Sequence, residues 1–294
     1  MSENGLLHEF CVSIGGIKIE ISAAEEGLKF KKNEYYERFL VKGKPEVRLN
    51  CYHKKFQMPP TKQVVFNSKS CWKLFSSNSE LIFGFYSPDY GTHPYKVAVM
   101  QPDFLSGVVY SRDICEDDAQ LYNPLDYPLD EVLMVNLLGK ERGIMMHASG
   151  MSINGKGMIF CGKSGAGKST ITNILLKGNC NSIFNDDRII IRKNKSGFTL
   201  YGTPWHGDVW EHSSEETPLK RIFFIKHGNV NRLMELSLSE KVSRLVSLSF
   251  SAFWDKQAMG FTLDLCYELA RNILIYELEF LPDESSLSFI EKQI

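Results

Sequence analysis

The sequence lacks any cysteine pairing pattern. Its seven cysteines, Cys11, Cys51, Cys71, Cys115, Cys161, Cys180 and Cys266, are odd in number, widely separated and free of C-x-x-C spacing, which excludes a disulfide framework and reads as reduced thiols. An excess of one charge is lacking too. The 34 basic and 35 acidic residues leave a formal net charge of −1 and are interspersed, so there is no basic footprint for nucleic acid. No apolar run approaches the length of a membrane span, and Met1–Phe10 carries no basic-then-apolar leader. The expectation is a cytoplasmic protein with neither membrane nor nucleic-acid partner. Internal repeats and low-complexity stretches are absent as well.

What is present is enough chain for two domains, at 294 residues. From Phe10 to about Arg112, short β-rich stretches alternate with turns: Phe10–Ile21, Val64–Asn67, Cys71–Ser76, Leu81–Tyr86, Tyr95–Met100 and Gly107–Ser111. Acidic and turn-forming residues dominate Asp113–Asp126, and a helix-like run, Val132–Leu138, follows Pro124 and Pro128. This predicts a boundary near residue 120. Downstream, strands are predicted at Gly143–His147, Gly150–Ile153, Met158–Cys161, Ser182–Phe184, Ile189–Arg192, Phe198–Tyr201, Arg221–Ile225 and Ile273–Phe280. Helices are predicted at Ser169–Leu176, Leu238–Ser249 and Lys256–Asn272. The expected fold class is α/β: a mixed-sheet domain over residues 121–294, preceded by a smaller β-rich domain over residues 1–120 that holds no chemical motif.

One motif carries chemistry. Gly162, Lys163, Ser164, Gly165, Ala166, Gly167, Lys168 and Ser169 fit G-x-x-x-x-G-K-[ST], between a strand-like and a helix-like run. Glycines let successive N–H groups turn inward on phosphate, and the helix start adds partial positive charge. Lys168 would reach the β and γ phosphates of ATP, Ser169 would offer its hydroxyl to Mg2+, and Thr170 would add a contact near the α phosphate. Asp186-Asp187 follows 18 and 19 residues beyond Lys168, at the expected end of a strand beside the loop strand. One carboxylate of the pair would hold the metal and the other would take a proton from an attacking hydroxyl. Because neighbours on a strand face opposite ways, both can serve one site only from a turn or strand end. His147, 21 residues before Lys168, is a third candidate, able to polarise the acceptor or assist the base.

His147, the loop Gly162–Ser169 and Asp186-Asp187 with Arg188 together resemble the HPr kinase/phosphorylase family, whose catalytic domain is related to phosphoenolpyruvate carboxykinase. The resemblance covers roughly residues 143 to 210. It implies a P-loop kinase domain in which Lys168 and Ser169 bind ATP and Mg2+, Asp186 supports the metal, and Asp187 is the base, assisted by His147. The acceptor it implies is a hydroxyl, serine above all, on a protein, peptide or small molecule; a ring-forming homo-oligomer follows by analogy. The signature that follows the acidic pair in HPr kinases is missing here, so neither HPr nor the reverse phosphorolysis is implied.

The run Gly202–Asp208 places Trp205, His206 and Asp208 on a backbone constrained by Gly202 and Pro204, and these three are candidate acceptor contacts; the alternative is that Trp205 packs in the core. Lys220, Arg221, Lys226 and Arg232 are candidate phosphate contacts or plain surface charges. A nucleotide-regulated binding module with little chemistry is the rival reading of the whole domain.

Overall fold

The computed structural model is α/β, built on two large mixed sheets with few helices. It describes residues 6–293 except 32, 61, 113–119, 122, 164, 179, 206 and 208. Contacts divide the chain into two units, Met1–Leu137 and Leu138–Ile294.

The first unit contains strands β1 (Leu6–Leu7), β2 (Glu9–Ile14), β3 (Ile17–Ala23) and β4 (Lys29–Lys31), a short helix α1 (Glu34–Glu37), then β5 (Val47–Tyr52) and β6 (Gln63–Asn67). It continues with β7 (Trp72–Ser77), β8 (Glu80–Phe85), β9 (Lys96–Met100), β10 (Ser106–Ser111) and β11 (Gln120–Leu121). Eight of these form one sheet in the order β2-β3-β5-β10-β9-β8-β7-β6, and β1-β4-β11 form a small second one. The β2–β3 hairpin closes through Gly15 and Gly16 at φ +58° and +73°, the left-handed pair that a two-residue turn matching strand twist requires. In β5, Val47, Leu49 and Cys51 are buried while Arg48 and Asn50 are exposed, a period of two that puts one face on the core.

The division between units falls later than the expected residue 120. Residues 123–130 are bound to the first unit: the Lys96 ammonium pairs with Asp126, and the buried Tyr36 hydroxyl donates to Asp130 Oδ2 at 2.5 Å. Helix α2 (Leu129–Gly139) runs across the division.

In the second unit, β12 (Ile144–Ile153) and β13 (Lys156–Cys161) form a hairpin, followed by α3 (Lys168–Leu176), β14 (Cys180–Asn185), β15 (Arg188–Asn194) and β16 (Gly197–Tyr201). Then come β17 (Glu216–His227), β18 (Arg232–Glu235), α4 (Leu238–Leu248), β19 (Ser249–Phe250), α5 (Lys256–Asn272), β20 (Leu274–Phe280) and α6 (Ser285–Glu291). Two expected strands, Gly143–His147 and Gly150–Ile153, are one continuous β12. Ser149 and Gly150 do not break it: Ser149 is fully buried and donates its hydroxyl to the Asp186 carbonyl at 3.3 Å.

Strand β12 is shared. Along one edge it pairs antiparallel with β13, Ala148 opposite Cys161; along the other it pairs first with β14, then with β15. Strand β13 pairs parallel with β17, and β17 parallel with β20. Alternate residues of β13 face opposite layers. Met158 and Phe160 join Ile171 and Leu175 of α3, while Ile159 and Cys161 join Leu245 of α4 and Leu265 and Leu269 of α5. Full burial of a side chain such as Phe160 contributes about 1.5–3 kcal/mol. The helix starts are capped by Ser237, whose hydroxyl and Glu240 form a capping box on α4, and by Asp255, which accepts from the Gln257 and Ala258 amides of α5.

Candidate functional site

The glycine-rich segment leaves β13 at Cys161 and enters α3 at Lys168. Gly165 and Gly167 take φ of +79° and +97°, a region that a side chain would strain. Gly162 is constrained by space instead, since a Cβ there would lie 2.7 Å from the Ala166 Cβ. Lys168 Nζ donates to the Gly162 carbonyl at 2.9 Å, and the Ala166 amide donates to the Lys163 carbonyl at 3.0 Å. Ser164 lies outside the described residues.

The acidic pair occupies an interruption in a ladder. Asn185 at the end of β14 pairs with Gly150, and Arg188 at the start of β15 pairs with His147, on the same edge of β12. Asp186 and Asp187 form a bend between them, opposite Ser149 and Ala148 with no residue inserted, and both side chains line one cleft. Their strand does not lie beside β13, as the spacing had suggested. Strand β12 intervenes, because its long edge accommodates both β14 and β15. The bend is held by Asn185, fully buried, whose Oδ1 accepts from the Asp187 and Arg188 amides at 2.7 and 2.8 Å.

The two acids have different partners. Asp186 is 4% exposed, and its oxygens accept the backbone amides of Gly207 at 2.7 Å and Val209 at 2.9 Å. Asp187 pairs through Oδ1 with His147 Nδ1 at 3.0 Å and through Oδ2 with the Arg188 guanidinium. Burial pushes the Asp187 carboxyl up, but the hydrogen bond from His147 and the charges of Arg188, His147 and Lys168 outweigh it and hold it below its ordinary 3.8. It is therefore ionised at neutral pH. His147 Nδ1 also faces the Asp187 carbonyl at 3.1 Å, and its ring meets Phe250 edge to face at 6.5 Å, while the Arg188 guanidinium lies 5.3 Å from the same Phe250 ring. A buried relay, Thr172 to Ser149 at 3.2 Å and Ser149 to the Asp186 carbonyl at 3.3 Å, ties α3 to the bend.

These groups line one cleft of about 330 Å³: Gly165, Gly167, Lys168, Ser169 and Thr170 from the loop and helix start, His147 from β12, Asp186 and Asp187 from the bend, with Gly207 and His227. Gly162 and Ala166 do not line it. Trp205 is 8% exposed and does not line the cleft, so it packs inside the unit; His206 and Asp208 lie outside the described residues. Lys226 and Arg232 are paired with acids, Lys226 with Glu277 at 2.7 Å and Arg232 with Glu279 at 2.7 Å. Cys161, next to the loop, is fully buried, which pushes its thiol up to about 12 and leaves it no nucleophile.

Sequence reasoning passed over Asn185 and His227. Asn before Asp-Asp is turn chemistry that could have been read. His227 has no local signal; only the register of β17 beside β13 puts it at the cleft.

The chain matches no protein-family model and no curated protein.

Proposed function

We propose that the unit Leu138–Ile294 is an ATP-dependent kinase of the HPr-kinase-like type, transferring the γ-phosphoryl group to a hydroxyl, serine first among them, of a protein, peptide or small molecule. The observation that supports it is convergence: Lys168, Ser169 and Thr170 share one cleft with His147, Asp186 and Asp187, three segments far apart in sequence. A phosphate cradle and an acid–base pair are the two parts that phosphoryl transfer needs.

In this reading Lys168 leaves the Gly162 carbonyl for the β and γ phosphates, and the loop amides cradle the rest. The acceptor O–H gives its proton to the Asp187–His147 pair as its oxygen forms a bond to the γ phosphorus. The bond from that phosphorus to the β–γ bridging oxygen breaks, and ADP leaves. Magnesium, when bound, would neutralise charge on the phosphates. The Ser169 hydroxyl and the remaining lone pairs of Asp186 are hard oxygen donors of the kind it takes. Among the described residues no group of three or more His, Cys, Asp or Glu is arranged to hold a metal ion by itself, so phosphate oxygens and water would complete its shell.

A nucleotide-regulated binding module is the second reading. The ion pair between Asp187 and Arg188 favours it, because a carboxylate held in its charged form is a weaker base. Labelled ATP incubated with candidate acceptors separates the two: transfer by the wild type, lost in Lys168→Ala and Asp187→Asn, supports the kinase. Nucleotide bound but intact with every acceptor supports the module. Wild-type transfer rates in Asp187→Asn would overturn its assignment as base.

A further inference from the structure

We propose that His227 is a phosphate-contacting residue of the same cleft, donating an imidazole N–H to the β or γ phosphate of the nucleotide; this rests on the kinase reading above. Strand β17 runs parallel to β13 with Phe224 beside Cys161, so it continues past the point where the glycine-rich loop departs, and its last residue is His227. The side chain reaches across to the loop. A Cβ built on Gly167 would lie 2.7 Å from His227 Cε1 and 2.9 Å from Nε2, which puts the ring in direct contact with that glycine. Phe280, its neighbour in the β17–β20 register, backs the ring, with centroids 5.1 Å apart and planes 34° from parallel. His227 is nonetheless exposed and lines the cleft, so its remaining side opens onto the ligand space.

Position decides what that side meets. Gly167 immediately precedes Lys168 and Ser169, and in a loop of this type these residues carry the amides and side chains that grip the β and γ phosphates. A ring resting on Gly167 stands at the level of the phosphates. It also stands opposite the acid–base pair: β12 flanks β13 on one side and carries His147, to which Asp187 is paired, and β17 flanks it on the other and carries His227. The neighbouring cation cannot substitute, because Lys226 is paired with Glu277 at 2.7 Å and lies 3.8 Å from Glu279. The contact also explains the double constraint on Gly167, whose φ of +97° strains a side chain and whose missing Cβ leaves room for the imidazole.

The test titrates the wild-type protein, His227→Phe, His227→Gln and Lys168→Ala with magnesium ATP and with inorganic tripolyphosphate by calorimetry, alongside thermal unfolding without ligand. Phenylalanine keeps the packing on Gly167 without a donor; glutamine keeps a donor. The expected result is that His227→Phe weakens both ligands about ten- to hundredfold, the range for a hydrogen bond to a charged group, while His227→Gln recovers most of the loss. Wild-type affinity of His227→Phe for tripolyphosphate would overturn the inference, and so would a loss confined to ATP, which would put the ring against the nucleoside. Equal losses in both His227 variants with a lowered unfolding temperature would make His227 a packing residue only. If the wild type binds neither ligand, the nucleotide reading itself falls. If Lys168→Ala abolishes binding and His227→Phe does not, only the His227 contact falls.

Discussion

Lys168 Nζ lies 2.9 Å from the carbonyl oxygen of Gly162, six residues earlier in the same loop. The ammonium thus rests on the loop's own backbone. Its loss should leave the fold intact, because this bond is local, and should lower phosphoryl transfer on the order of 10²–10³-fold, the usual cost of removing one preorganised donor to developing charge. Initial rates with labelled ATP, beside an unchanged unfolding temperature, check this. Transfer by Lys168→Ala at the wild-type rate would remove the loop from the chemistry.

Asp186 holds the backbone at Gly207 and Val209, and Val209 is 6% exposed, so water cannot easily replace the lost acceptor. Asp186→Ala should cost about 1–3 kcal/mol, whereas Asp186→Asn, which keeps one acceptor oxygen, should cost less. Urea unfolding followed by tryptophan fluorescence reads it, with Trp205 and Trp210 flanking the held segment. Equal stability of wild type and Asp186→Ala would show that the segment holds itself.

Glu277 supplies a pH signature away from the cleft. Burial raises its carboxyl, but hydrogen bonds from Lys226 and Arg244 and their charges outweigh this and hold it below its ordinary 4.5. A carboxyl lowered on folding stabilises above its unfolded value, and that contribution is lost as pH falls through the folded value. Glu277→Gln should therefore be less stable than wild type by about 1–2 kcal/mol near neutral pH, between the values for exposed and buried pairs. The gap should close as pH falls through the folded carboxyl's value, below 4.5. Unfolding free energies of both proteins across that range decide it; a gap that stays constant would mean the ion pairs contribute nothing.

Gly202 has no room for a side chain, because a Cβ there would lie 1.7 Å from the Ser213 carbonyl oxygen. Gly202→Ala must displace backbone, not merely a rotamer, and should destabilise by about 1–3 kcal/mol or more. Differential scanning calorimetry gives the number. A shift smaller than that of a surface substitution would mean the two segments part without cost.

Much of this architecture was legible because its elements carry their own periodicity. Helix α5 spans Lys256–Asn272 as its apolar spacing predicts, and the Asn154-Gly155 turn closes β12 onto β13 with Ile153 opposite Lys156. Strand β5 went unread although Val47, Leu49 and Cys51 alternate inward, since Arg48 and Asn50 dilute the apolar content of so short a run. Strand β18, Arg232–Glu235, is short and partly exposed, and pairing with β20 rather than local preference makes it a strand.

At the cleft, the loop and the acidic pair were readable as motifs, and the continuous β12 was not. Asn185 and His227 escaped for a different reason. Their placement depends on hydrogen bonds and register between segments far apart in the chain, and no window of neighbouring residues encodes that.

The ladder between β12 and β13 works like a caliper locked at one opening. His147 sits one residue before Ala148, which is paired with Cys161, the last residue before the glycine loop, so the gap between the two jaws cannot widen without breaking a central sheet. In the proposed kinase, acceptors of different size would then have to be accommodated away from these jaws, on the side where the Gly207 amide is tethered by a side-chain oxygen of Asp186. On that reading, a change of acceptor preference should leave β12 and β13 alone.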